Sequence, residues 1–113
     1  MDLRLAGNSA VVTGGASGIG AATARLLAAE GVRVAVWDRS DQVTAFADEL
    51  AREFRLPALG IPTDVTSADS LAHALQTTLA AFGHIDHLVH AAAIGSGKFG
   101  FPFTNLAPDD WIR

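Results

Sequence analysis

Apolar positions change their period along this chain, and each change marks an element. Ser9 to Thr13 holds a short β-branched run, Ala10-Val11-Val12, that stops at glycines; an uninterrupted run suits a strand buried on both faces. From Ile19 the spacing turns helical, with Ile19, Ala22, Thr23, Leu26 and Leu27 on one stripe and Gly31 where a helix C-cap glycine belongs. Arg33 to Trp37 is strand-like again and ends at Asp38, after which Val43, Phe46, Ala47, Leu50 and Phe54 recur at helical intervals. Pro57 blocks that helix, and Ala58 to Pro62 predicts a short third strand. Thr66 or Ser67 can cap a third helix with the stripe Leu71, Leu75, Leu79 and Phe82, which Gly83 ends. Ile85 to Ala92 reads as a fourth strand. A glycine-rich loop from Gly95 to Asn105 leads to Pro108-Asp109-Asp110, a proline and two acids suited to a first helical turn.

Strand and helix thus alternate three times before a fourth strand, which predicts an α/β fold: a parallel sheet with right-handed crossovers and helices on both faces. This is the Rossmann-type, doubly wound arrangement truncated to about four strands. No linker, repeat or low-complexity tract divides it, so residues 1–113 are expected to form a single domain.

Composition narrows the function. Half of the 113 residues are hydrophobic and 18% are charged, which is globular rather than disordered composition. The net charge is −4 and the eight Lys and Arg are scattered, so a nucleic-acid partner is not expected. The absence of cysteine excludes disulfides, Cys-ligated zinc and thiol nucleophiles. Met1-Asp2-Leu3-Arg4-Leu5 does not open a signal peptide, and no apolar run reaches membrane-spanning length. A cytoplasmic protein with no membrane partner is expected.

The candidate chemistry begins in Thr13-Gly14-Gly15-Ala16-Ser17-Gly18-Ile19-Gly20, between the first strand and the first helix. Backbone N–H groups and the helix dipole at such a place favour a diphosphate. A glycine-rich octapeptide alone is also an ordinary turn. Here, however, an acid follows at the end of the second strand: Asp38, eighteen residues after Gly20. That is where a carboxylate meets the ribose of a dinucleotide and repels a 2′-phosphate, so NAD is expected over NADP. Neighbouring Arg39 leaves room for the phosphorylated cofactor. A nucleoside triphosphate loop is excluded, because Ile19-Gly20-Ala21 stands where it needs Lys and Ser or Thr.

Thr13-Gly14-x-x-x-Gly18-x-Gly20 resembles the Thr-Gly-x-x-x-Gly-x-Gly signature of short-chain dehydrogenases/reductases. Asp64-Val65 resembles that family's adenine-contacting pair, and Leu88 to Ile94 aligns with its strand-four Asn-Asn-Ala-Gly segment, so the resemblance covers the whole chain. It implies an oxidoreductase that moves hydride between NAD and a small alcohol or carbonyl substrate. It also implies that Gly14, Gly18 and Gly20 admit the diphosphate, that Ile19 lies towards the nicotinamide, that Asp38 holds ribose, and that Asp64 and Val65 flank adenine. Ser17 stands where NADP-preferring relatives often carry a basic residue, again favouring NAD. The chain departs from the pattern at His90-Ala91-Ala92-Ala93. This places a structural hydrogen bond in question; Ala92 and Ala93 are expected to line the site and His90 to pack. Family catalysis uses an Asn, a Ser and a Tyr-x-x-x-Lys. The chain has no tyrosine and one lysine, Lys98, so no catalytic residue is assigned and the chain alone is expected to be inactive.

Three weaker features complete the reading. His73, His84, His87 and His90 include an H-x-x-H, but His87 and His90 should diverge across a strand and no acid cluster completes a shell, so no metal site is expected. The loop from Gly95 to Phe103 lies where open α/β sheets bind ligands, with packing of its three Phe the favoured role and Lys98 solvated. The resemblance implies a sheet order in which a fifth strand outside residues 1–113 covers strand four, so Leu88-Val89-His90-Ala91 is expected to form an uncovered edge, giving self-association or partial disorder after Ala93. A non-catalytic dinucleotide-binding fragment or interaction module is the alternative to the oxidoreductase.

Overall fold

A computed structural model of the chain describes residues 2–93. The loop from Gly95, its phenylalanines, Lys98, the helical turn at Pro108 and the order of the chain after Ala93 lie outside the described residues. The elements are β1 (Ser9–Thr13), α1 (Gly18–Ala29), β2 (Arg33–Asp38), α2 (Val43–Phe54), β3 (Ala58–Pro62), α3 (Ala68–Phe82) and β4 (His87–His90). All strands are parallel, in the order β3-β2-β1-β4.

The uninterrupted apolar strands find their explanation in burial on both faces. Ala10, Val12, Val34 and Val36 turn to one side and pack with Ala24, Ala28, Val43 and Leu50 of α1 and α2. Val11, Ala35 and Trp37 turn to the other side and pack with Ile61 and with Ala74 and Phe82 of α3. Leu50 is fully buried, a contribution of roughly 1.5–3 kcal/mol for its side chain. Trp37 Nε1 donates to Thr78 Oγ1 at 3.1 Å, and that hydroxyl donates to the Ala74 carbonyl at 2.8 Å, so the polar atoms inside this face are paired.

Two helical stripes differ from the sequence reading. In α1, Ile19 is 83% and Leu26 70% exposed, and the buried residues are Gly20, Ala24 and Ala28. In α3, Leu75 and Leu79 are exposed and Ala74, Thr78 and Phe82 face inward. Small residues thus hold much of the inner face of each helix, with Phe82 the large residue inside α3, and Ile19, Leu26, Leu75 and Leu79 stand outside. β4 is also shorter than Ile85 to Ala92: its ladder to β1 stops at His90. The remaining ends match local chemistry. Gly31, at φ +87°, follows the C-cap Glu30 of α1, and Ser67 caps α3 by accepting the Ser70 N–H at 3.2 Å.

From β1 the chain steps outward to β2 and β3, then returns through α3 to β4 on the other side of β1. Strand order therefore reverses between β1 and β4, and a crevice opens beyond their carboxyl ends, the place where open α/β sheets bind ligands.

Candidate functional site

Beyond Thr13 the chain turns through Gly14, whose N–H donates to the Trp37 carbonyl at 2.7 Å, and enters α1 at Gly18. The first intrahelical bond of α1 runs from Ala21 N–H to the Ser17 carbonyl at 3.2 Å, and Ser17 makes no side-chain cap bond. The N–H groups of Gly18, Ile19 and Gly20 thus stand at the positive end of the helix without an intrahelical acceptor.

Glycine is required here by space and by backbone angle. Gly14 has φ +65°, and a Cβ on it would lie 2.6 Å from Ala92 Cα. A Cβ on Gly20 would collide with the Gly14 carbonyl oxygen. Loop, helix and the segment after β4 therefore touch through bare backbone. Gly18, at φ +56°, turns into open space.

Two carboxylates border this loop. Asp38 Oδ2 accepts the Ala16 N–H at 3.0 Å and Oδ1 accepts the Ser40 N–H at 2.9 Å, so the carboxylate ties the glycine loop to the end of β2. Asp64 Oδ1 accepts both the Thr66 hydroxyl at 2.6 Å and the Thr66 N–H at 2.9 Å. Those two bonds hold the Asp64 carboxyl below its ordinary pKa, with a smaller pull from Arg39 and a partial opposition from desolvation. Buried Thr63 donates its N–H to the Asp38 carbonyl at 2.8 Å and brings Asp64 alongside β2.

The result is a cleft of about 420 Å³. Gly14, Ser17, Gly18, Ile19, Gly20, Asp38, Arg39, Asp64, Val65, Ala92 and Ala93, the residues singled out in the sequence, all line it. Thr63, Thr66 and Ala91 line it as well. Thr63 is legible as the first residue past the third strand, whereas Thr66 reads only as a helix cap and Ala91 only as strand.

His90 does not pack, contrary to expectation. Its side chain is exposed and Nδ1 lies 2.7 Å from Thr13 Oγ1, so a hydrogen bond joins β4 to β1 at the position where the sequence placed one in question. His87 stands at the opposite end of β4, with Nε2 2.9 Å from the Asn8 amide nitrogen that donates to it. Among the described residues no three His, Cys, Asp or Glu side chains gather as metal ligands, and no helix is long and apolar enough to cross a membrane.

Residues 8–113 match the short chain dehydrogenase family. The cis-4-hydroxycyclohexanecarboxylate dehydrogenase of Sinomonas cyclohexanicum is 49% identical over 107 residues, covering 92% of this chain and 41% of that protein. The short-chain reductase NovJ of Streptomyces niveus is 46% identical over 89 residues, 79% of this chain and 34% of that one. Among solved structures, L-sorbose reductase from Gluconobacter frateurii, complexed with NADPH and L-sorbose, superimposes with a TM-score of 0.83 at 29% identity over 98% of this chain and 41% of that chain. The chain thus spans about two fifths of the length of such relatives.

Proposed function

The chain belongs to the short-chain dehydrogenase family, and on that premise we propose that it is the NAD-holding part of an oxidoreductase acting on a small alcohol or carbonyl substrate. The observation that carries this reading is the pairing, in one cleft, of uncapped N–H groups at the start of α1 with the Asp38 carboxylate. Close backbone packing of Gly14 against Ala92 and of Gly20 against Gly14 sets the loop and the start of α1 at the rim of the cleft, where a diphosphate meets backbone N–H groups. When bound, the dinucleotide supplies the hydride chemistry.

The residues divide the ligand among them. The N–H groups of Gly18, Ile19 and Gly20 face the diphosphate, and Ile19 lies towards the nicotinamide. Asp38 has lone pairs left beside its two backbone donors, and these accept the adenosine ribose hydroxyls. Asp64 and Val65 border adenine, and Ala92 and Ala93 form the opposite wall. A negative Asp38 and an uncharged Ser17 both disfavour a 2′-phosphate, which supports NAD over NADP even with Arg39 at the rim.

The family this chain resembles exchanges the substrate proton through a Tyr-x-x-x-Lys pair, and residues 1–113 contain no tyrosine. The 113 residues therefore hold NAD without turning substrate over. Fluorescence titration with NADH and NADPH tests the reading: saturable NADH binding, weaker for NADPH, is expected, and absence of binding by either overturns it.

One observation favours the alternative, a dinucleotide-holding interaction module. Among the described residues β4 pairs with β1 alone, and Leu88 is 66% exposed. Such an edge is a template for a second strand, and self-association through it is part of this second reading.

A further inference from the structure

His90 is the last residue of β4 and stands in register with Thr13, the last of β1. It is not among the residues that line the cleft. Its Nδ1 nevertheless reaches Thr13 Oγ1 at 2.7 Å, and Thr13 is buried. The same hydroxyl oxygen accepts the Ala92 N–H at 3.4 Å, and the Thr13 carbonyl accepts the Ala91 N–H at 3.1 Å. A threonine hydroxyl offers one proton and two lone pairs. Ala92 occupies one lone pair, which leaves either the proton or the second lone pair for His90, so both neutral tautomers of the ring close the bond. With His90 absent, a rotatable hydroxyl would be held by one long hydrogen bond only.

Ala92 is also the backbone against which Gly14 packs: a Cβ on Gly14 would meet Ala92 Cα at 2.6 Å and Ala92 N at 2.7 Å. With no Cβ between them, the backbones of Gly14 and Ala92 pack directly, so a shift of Ala92 moves the glycine loop or opens a gap behind it. The run His90, Thr13, Ala92, Gly14 therefore connects an exposed ring on the edge strand to the backbone that faces the ligand. No other strand among the described residues supports β4 from outside, so the side-chain bond adds to a ladder of only four residues.

We propose that His90 is a positioning residue for dinucleotide binding: through the Thr13 hydroxyl it holds the backbone of Ala91 to Ala93 at the spacing from Gly14 that the ligand requires. The identity of the ligand rests on the dinucleotide reading above, whereas the contact itself does not.

The test compares His90→Leu with His90→Asn in the 113-residue chain. Asn carries a polar atom at the place of Nδ1, and Leu has nearly the same shape without one. His90→Leu is expected to raise the Kd for NADH on the order of tenfold, the scale of one hydrogen bond, and to speed amide hydrogen exchange at Ala92. His90→Asn is expected to restore both. If His90→Leu does not fold, Thr13→Val against Thr13→Ser poses the same question, with Val expected to weaken binding and Ser to retain it. A lower Tm with unchanged Kd and unchanged exchange at Ala92 would make the bond merely structural and overturn the proposal. Failure of His90→Asn to rescue would overturn it too, by assigning the effect to ring packing. If the unaltered chain binds no NADH, the dinucleotide reading alone falls. The exchange rates at Ala92 then decide: acceleration in His90→Leu with rescue in His90→Asn sustains the positioning contact, and unchanged rates sink it.

Discussion

The two ends of the sheet use the same device, a carboxylate that accepts backbone N–H groups, and differ in what they leave over. At the amino ends of the strands Asp86 Oδ2 accepts the Ser9 N–H at 2.8 Å, while Asp86 N–H donates to the Ser9 carbonyl at 2.9 Å. Arg33 Nη2 donates to Ser9 Oγ at 2.7 Å, its guanidinium lies 5.2 Å from the Phe82 ring centre, and His84 Nε2 is 3.0 Å from Asp86 Oδ2. These groups are spent on one another and bind β1, β2 and β4 together. At the carboxyl ends Asp38 likewise ties a loop to a strand, but the neighbouring helix start keeps uncapped N–H groups and the neighbouring residues are glycine. A polar cluster that satisfies itself is scaffold. One that is pinned yet leaves donors and bare backbone facing a cleft has the makings of the dinucleotide site proposed above.

Substitutions at either end should separate these roles. The largest effect is expected from Gly14→Ala, where a left-handed backbone and a contact at 2.6 Å coincide; together these cost about 3 kcal/mol. Urea unfolding would read the loss, and NADH binding should disappear with it; wild-type affinity in a folded Gly14→Ala chain would break the claim that this end is shaped for close approach. Asp38→Ala removes an acceptor whose bonds are each on the order of 1.5–3 kcal/mol, as is usual for a charged group. It should weaken NADH binding and narrow the gap between NADH and NADPH, as parallel titrations would report.

Asp86→Ala provides the contrast. It is expected to lower Tm and leave the Kd for NADH unchanged, and an equal loss of affinity would erase the distinction between the ends. Acid titration sharpens it further. The Ser9 N–H holds Asp86 below the ordinary carboxylate pKa, with added attraction from His84 and His87 and opposition from desolvation; Asp64 is lowered through Thr66. In each case the folded pKa lies below the unfolded one. The stabilisation is therefore complete above the unfolded value, about 3.9, and is lost as the pH falls through the folded value. Unfolding followed by circular dichroism should steepen below that pH, and a chain carrying Asp64→Asn and Asp86→Ala should lose part of the steepening. The smallest effect on stability, within about 0.5 kcal/mol, is expected from Leu88→Lys on the exposed edge. Gel filtration tests the self-association proposed for that edge: a smaller apparent size than that of the unaltered chain is expected, and equal sizes overturn it.

Local pattern alone carries much of this contrast. The bounds of β1 and β3 follow from short apolar runs stopped by glycine or proline, and part of the cleft from the glycine loop and Asp38, while Asp64, Val65, Ala92 and Ala93 are legible only through the family resemblance. The buried faces of α1 and α3 are not legible in the same way. Counting large apolar residues favours Ile19, Leu26, Leu75 and Leu79, while the sheet accepts Gly20, Ala24, Ala74 and Thr78.

By itself the sequence determined the alternation of strands and helices, the parallel sheet, and the meeting of the glycine loop with Asp38 at the cleft. These depend on period, on turn chemistry and on glycine positions, all of which act over a few residues. Tertiary structure decided which residues of α1 and α3 face the sheet. It also decided the role of His90, because the bond to Thr13 joins residues 77 positions apart, and no local pattern reports a partner brought close only by the pairing of β1 with β4.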